Sequence, residues 1–367
     1  MHKIIRFVQE EFIFFIFFSI LLVLSAIFPT EIKNFSEFVE WKTIWALGGL
    51  IIITTGMKES GYFEIITIRM LKKVNSERGV SFLLVLLSVV LSTFLTNDIA
   101  LFIVIPVTLA VQKRVKNNIS KLVIFEAIAV NVGSTFSPIG NPQNIFLWHK
   151  WNISFTGYVW EMLPVGLIQL GFLLIFIFFV FRANDLQLSG SFEKRGNYKK
   201  LMFNMSLLIL ILFIITLELK ITEYVLPFIL IFYLVAYREI MKKVDWLLII
   251  LFVIIFIEFH LISNISFISE NIKALNPTKP ANVFWLSGLI SQIISNVPAA
   301  VMMSKFSNNW QAIAFGVNIG GNGLVIGSLA NIIALRMINS KKYWIDYHKY
   351  SGIYFIVTFI TVLVIFY

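Results

Sequence analysis

LSTFLTND (91–98) followed by AVNVGSTFSPIGNPQNI (129–145), and LISQIISN (289–296) followed by GVNIGGNGLVIGSLANI (316–332), are the stretches on which the fold turns. Aligned without gaps, the second members match at Val130/Val317, Asn131/Asn318, Gly133/Gly320, Ile139/Ile326, Gly140/Gly327, Asn144/Asn331 and Ile145/Ile332. The first members match at Ser92/Ser291 and Asn97/Asn296, in a register displaced by about a dozen residues. One short Gly- and Asn-rich match arises easily by chance. Both motifs recurring in the same order, one per half, mark an internal repeat.

Lipid surrounds these motifs. Hydrophobic residues make up 58% of the 367, with 37 Phe, while only 14% are charged, against about a quarter in soluble domains. Phe12 to Phe28 is almost unbroken Phe, Ile and Leu, close to the roughly 20 residues that cross a bilayer. Its acidic start at Glu10 and Glu11, with no small-residue cleavage pattern, argues against a signal peptide. The net charge of +10 is spread through short loops and reports membrane orientation rather than nucleic-acid binding. With no cysteine, and with His2, His149, His260 and His348 scattered, disulfides, metal centres and bound cofactors are not expected.

The expected fold class is an all-α polytopic membrane protein of two inverted repeats, each with a re-entrant helix hairpin and a broken transmembrane helix. The first repeat covers 1–182, with its hairpin at about 79–112 and its broken helix at about 122–148. A linker and connecting span follow at 183–217. The second repeat covers 218–367, with its hairpin at about 281–304 and its broken helix at about 310–335. Basic clusters are expected in the cytoplasm: Lys3 and Arg6; Arg69 to Arg78; Lys113 to Lys121; Lys194 to Lys200; Arg238 to Lys243; and Arg336 to Lys342. That puts the N-terminus inside and the chain in the plasma (inner) membrane. It also flanks 79–112 by inside loops and 281–304 by outside loops, as hairpins entering from opposite faces would be. The polar tips favour hairpins over full spans, because irregular backbone survives at depth only where protein or a wet cavity satisfies it.

In the first broken segment, Pro138 and Pro142 remove backbone donors and Gly133 and Gly140 permit open geometry. The counterpart between Asn318 and Asn331 breaks with glycines alone. Broken helices expose carbonyls suited to a cation and amides suited to an anion. Asp98, among Phe94, Leu95, Ile99 and Leu101, is expensive in lipid and marks an ion or proton path, the alternative being a loop aspartate at the interface. Val297 holds the equivalent place in the second half. Glu126 reads as a second proton carrier or as an interfacial residue near Lys121, and Glu258 and Glu59 are weaker cases of the same kind.

These residues resemble the ion transporter superfamily: divalent anion–sodium symporters, citrate carriers, arsenite efflux pumps and sodium–proton antiporters. Thr96-Asn97-Asp98 and Ser295-Asn296-Val297-Pro298 look like its paired hairpin tips, and GNPQN and IGSLAN like its broken helices, over about 40 to 340. The resemblance implies a dimeric scaffold, a mobile transport domain and an elevator-type movement. It implies Asn97 and Asn296 at the site, with Asn141, Asn144, Ser328 and Asn331 supplying oxygens or amides. Thr96, Asn131, Ser137, Gly140, Ser295, Asn318 and Gly327 of the same motifs complete the expected substrate and ion site, and Asp98, on its cost in lipid, is the expected Na⁺ or proton site. The expected function is secondary transport of a small carboxylate-like anion coupled to Na⁺ or H⁺. The alternative is a sodium–proton antiporter or an arsenite/antimonite efflux permease, which the absence of Lys or Arg in the hairpins mildly favours. An intramembrane enzyme is disfavoured by the lack of Cys, of paired His and of a catalytic dyad. The expected partners are the substrate, the bilayer and a second copy of the chain, with no nucleic acid.

Overall fold

The computed structural model describes residues 11–71, 73–113, 120–184, 198–338 and 340–367. Lys3, Arg6, Lys72, Arg114, Lys116, Lys194 and Arg195, read above as cytoplasmic, lie outside the described residues. The described residues form helices and loops with no strand, and five of the helices are long and apolar enough to cross a membrane. This is an all-α polytopic membrane protein.

Among the described residues the first helix is α1 (Phe12–Ile27), which turns by 115° through Pro29 into α2 (Phe35–Phe38). α3 (Trp41–Glu59) and α4 (Tyr62–Leu71) follow. The first hairpin is α5 (Glu77–Phe94) and α6 (Asn97–Gln112), and the first broken helix is α7 (Leu122–Thr135) and α8 (Pro142–Lys150). After α9 (Phe155–Val180) come α10 (Lys200–Glu218), α11 (Thr222–Ala236), α12 (Arg238–Met241), α13 (Trp246–Ser263) and α14 (Ser266–Ala274). The second hairpin is α15 (Pro280–Ile294) and α16 (Asn296–Met303). The second broken helix is α17 (Trp310–Gly320) and α18 (Leu329–Ile338), with a 3-10 turn at Val325–Gly327 between them, and α19 (Lys341–Phe366) ends the chain.

Three details depart from the hydrophobic pattern. α4 and α14 are helices outside the hairpins and broken helices, and each buries only a narrow stripe, Thr67 and Leu71 in one and Ile272 in the other. α19 starts at Lys341, ahead of the apolar run at 348–367, because Tyr343 and Tyr347 bury their rings against the fold.

Two packing groups emerge. α3 packs against α10 and α11, and α1 against α13. The hairpins and broken helices form the other group, α5 lying along α7 and α15 along α17. Helices in lipid gain no hydrophobic drive toward one another, so they associate where small residues let backbones close in. Gly133 does this for α7: a β-carbon there would stand 2.1 Å from the Val89 carbonyl oxygen of α5. Gly320 does the same for α17, with 2.8 Å to the Gly288 carbonyl oxygen of α15.

Candidate functional site

Both broken helices are interrupted as the sequence predicts, but by different means. Asn141 caps α8: its Oδ1 accepts from the Asn144 amide at 2.9 Å, and Pro142 takes the first helical position, where no donor is needed. The second break runs through Gly323, whose φ of +103° is a conformation that side chains rarely tolerate. Gln292 of α15 then clamps it, donating to the Gly320 and Asn322 carbonyls at 2.7 and 3.0 Å and accepting from Leu324 N at 2.7 Å.

The two breaks meet through crossed amide pairs. Asn131 Nδ2 donates to Asn331 Oδ1 at 2.9 Å, and Asn318 Nδ2 donates to Asn144 Oδ1 at 2.8 Å. Since the repeat aligns Asn131 with Asn318 and Asn144 with Asn331, each bond is the other with the halves exchanged. The supporting bonds follow the same exchange. Asn131 and Asn318 also donate one turn back, to the Ala127 carbonyl at 3.3 Å and the Ala314 carbonyl at 2.8 Å. Asn144 donates to the Ser134 carbonyl at 2.9 Å, and Asn331 to the aligned Gly321 carbonyl at 2.8 Å. Asn141 closes the network, donating to Ser134 Oγ at 2.9 Å and to Asn318 Oδ1 at 3.2 Å. All of these side chains are buried. In lipid, such a group must find its partners within the protein.

The hairpin tips abut the breaks. Asn97 N donates to the Gly140 carbonyl at 3.0 Å, which fixes the first tip to the first break. A β-carbon built on Gly321 would lie 3.2 Å from Asn296 Nδ2, so the second tip borders the second break. Thr96 bends the first tip in ordinary extended backbone. Ser295 bends the second at φ +78° and ψ 159°, a region almost reserved for glycine, so that tip stores strain. Ser137 and Ser328 are buried within the breaks, Ser137 offering its carbonyl to Asn144 Nδ2 at 3.2 Å and Ser328 offering its own to Asn331 N at 3.1 Å. Gly327 is buried, and a β-carbon built on it would lie 2.6 Å from the Gly320 carbonyl oxygen.

The carboxylates separate cleanly. Asp98 is nine-tenths buried in the first turn of α6 and its Oδ1 has no hydrogen-bond partner, so it is a buried helix residue and not an exposed loop aspartate. Glu126 is wholly buried and bonded by Thr108 of α6, with Oε2 unpartnered. Lys121 turns to Glu77, at 3.6 Å, and to the Val180 carbonyl, rather than to Glu126. Glu258 is fully buried with neither oxygen hydrogen-bonded, whereas Glu59 is a partly exposed partner of Lys243. Asn322, Ser134 and Gln292 escaped the sequence reading. Gln292 was detectable as an amide in an apolar hairpin arm whose other central polar residues are serines; Asn322 aligns with Thr135, polar but not identical, so the identities that mark the repeat pass over it.

The sequence of this chain has known relatives. The profile of the citrate transporter family, CitMHS, matches residues 12–309. The chain belongs to the citrate transporter family. The inner membrane protein YbiR of Escherichia coli is 34% identical over 340 residues, 91% of each chain. An uncharacterized transporter of Methanocaldococcus jannaschii is 36% identical over 340 residues, covering 90% of this chain and 91% of its own. Family membership makes the chain a membrane transporter of the citrate/anion permease type.

Proposed function

We propose that this chain is a secondary active transporter of a small, carboxylate-like anion, coupled to Na⁺ or H⁺. The crossed pairs Asn131–Asn331 and Asn318–Asn144 carry this reading, because they tie both breaks and both halves into one buried polar centre. The exchange of halves in that network supports two inverted repeats, 1–182 and 218–367, joined through 183–217. α6, α8, α16 and α18 all begin at a tip or a break, so four positive helix ends are available to an anion. Asp98, a buried carboxylate with an open oxygen, would hold the cation. The group of hairpins and broken helices would slide as a unit against α1, α3, α10, α11 and α13, in an elevator movement, with the latter helices forming a homodimer. A second reading, a sodium–proton antiporter or arsenite/antimonite efflux permease, is favoured by one observation. The amide network contains no Lys or Arg among the described residues.

Proteoliposomes separate the two. Uptake of citrate or another small carboxylate driven by a Na⁺ or pH gradient supports the first reading. Na⁺/H⁺ exchange without organic anion, or oxyacid efflux, supports the second and refutes the first. Asp98→Asn preserves size and hydrogen bonding while removing the charge. It is expected to abolish gradient-driven uptake yet leave counterflow exchange of the same substrate. Concentrative uptake equal to wild type would remove Asp98 from coupling.

A further inference from the structure

Asp98 is buried, yet it is not sealed. A cavity of about 270 Å³ runs between the start of α6, the start of α13 and the face of α18, with Asp98 at one place on its wall and Asp245 at another. Asp98 belongs to the hairpin group, whereas Asp245 is the N-cap of α13, its Oδ1 accepting from Leu248 N at 3.0 Å. Asp245 is exposed, so it stands at the mouth, and it is close enough for the two carboxylates to feel each other's charge. The wall between them is apolar, including Phe102, Leu251 and Ile333. Glu11 and Arg336 also line the cavity, and they attract one another, the Arg336 guanidinium lying 4.3 Å over the Phe12 ring. That pairing leaves Asp98 and Asp245 as the excess charge among the lining residues, while Lys58, its ammonium 4.5 Å over the Phe102 ring, faces Asp245 from behind that wall and offsets part of its charge. An apolar-walled cleft with charge of one sign focuses the field and concentrates the opposite ion.

We infer that Asp245 is the receiving carboxylate for a small monovalent cation travelling between Asp98 and the basic-loop side of the membrane, where Arg238, Lys242 and Lys243 lie. The inference rests on the reading of Asp98 as the coupling-ion carboxylate and adds a residue on a different packing group. Asp245 takes no part in the amide network. It acts by drawing the cation along the cavity, so its charge matters and its capping does not.

Asp245→Asn tests this, since asparagine caps a helix as well as aspartate does and only the charge is lost; Asp245→Ser is a second capping variant. Purified full-length chain is assayed for ²²Na⁺ binding at fixed pH and, separately, for proton uptake without Na⁺. These two arms identify which cation is held. For the cation that saturates wild type, both Asp245 variants are expected to bind about tenfold more weakly with an unchanged unfolding midpoint, the low end of what focused charge contributes. Asp98→Asn is expected to abolish saturable binding. Loss in Asp98→Asn with wild-type affinity in both Asp245 variants overturns the role of Asp245 alone. Wild-type binding in Asp98→Asn, or no saturable binding of either cation to wild type, overturns the reading of Asp98 and this inference with it.

Discussion

Asn318→Ala removes one partner from each of two contacts between the halves. It loses the 2.8 Å donation to Asn144 Oδ1 and the acceptance from Asn141 Nδ2 at 3.2 Å, besides a bond to its own helix at Ala314. Bonds between helices in a membrane contribute about 0.6 kcal/mol on average and up to about 1.7 kcal/mol, because the unfolded chain finds other partners. The two lost interhelical bonds therefore cost roughly 1–3 kcal/mol. Asn144→Ala loses the same pair bond and its donations to the Ser134 and Ser137 carbonyls, for a comparable cost. Because the two share this bond, the double variant is expected to be less destabilised than the sum by about 0.6 kcal/mol or more. The mirror cycle, Asn131→Ala with Asn331→Ala, should give a coupling of the same sign and similar size, because the bond is the same with the halves exchanged. SDS-induced unfolding in mixed micelles, followed by the fluorescence of the nine tryptophans, measures all four corners of each cycle. Additivity in both cycles would refute the crossed pairs, and coupling in one cycle alone would refute their equivalence.

Three further outcomes are expected. Gly133→Ala and Gly320→Ala should each destabilise by about 1–3 kcal/mol, since backbone carbonyls occupy the new methyl's space, while Gly171→Ala, with open space around it, should be neutral or slightly stabilising in the same unfolding titration. Ser295→Gly should raise stability by about 1 kcal/mol by relieving the backbone strain at φ +78°; a loss of stability would mean the conformation is not strained. Asn97→Ala and Asn296→Ala should each abolish proteoliposome transport while leaving expression and monodispersity intact, and normal transport by both would exclude the tips from the site.

Much of this architecture was written in the one-dimensional pattern, for reasons peculiar to lipid. A bilayer demands apolar spans of nearly fixed length, so a polar residue within one stands out as it never does in a soluble protein. Asn131, Asn144, Asn318 and Asn331 were legible on that ground, and their recurrence across the halves marked them as a set. Pro142 and Asn141 announced the start of α8, because proline at the first turn after an Asx cap is a local signal.

Tertiary contact decided what local pattern leaves open. Asp98, Glu126 and Glu258 look alike in sequence, each a carboxylate beside apolar residues, and Glu59, between Lys58 and Ser60, is a weaker case. Their fates differ because burial and partnership depend on what the neighbouring helices bring: an open cavity at Asp98, Thr108 at Glu126, apolar packing at Glu258, and Lys243 at Glu59. The clamp made by Gln292 and the cavity shared by Asp245 and Asp98 likewise join residues on separate helices. Sequence alone determined which residues lipid would not tolerate unpartnered. Only the packed helices decided which partner each one found, since a hydrogen bond or a charge pair forms across space and leaves no period in the chain.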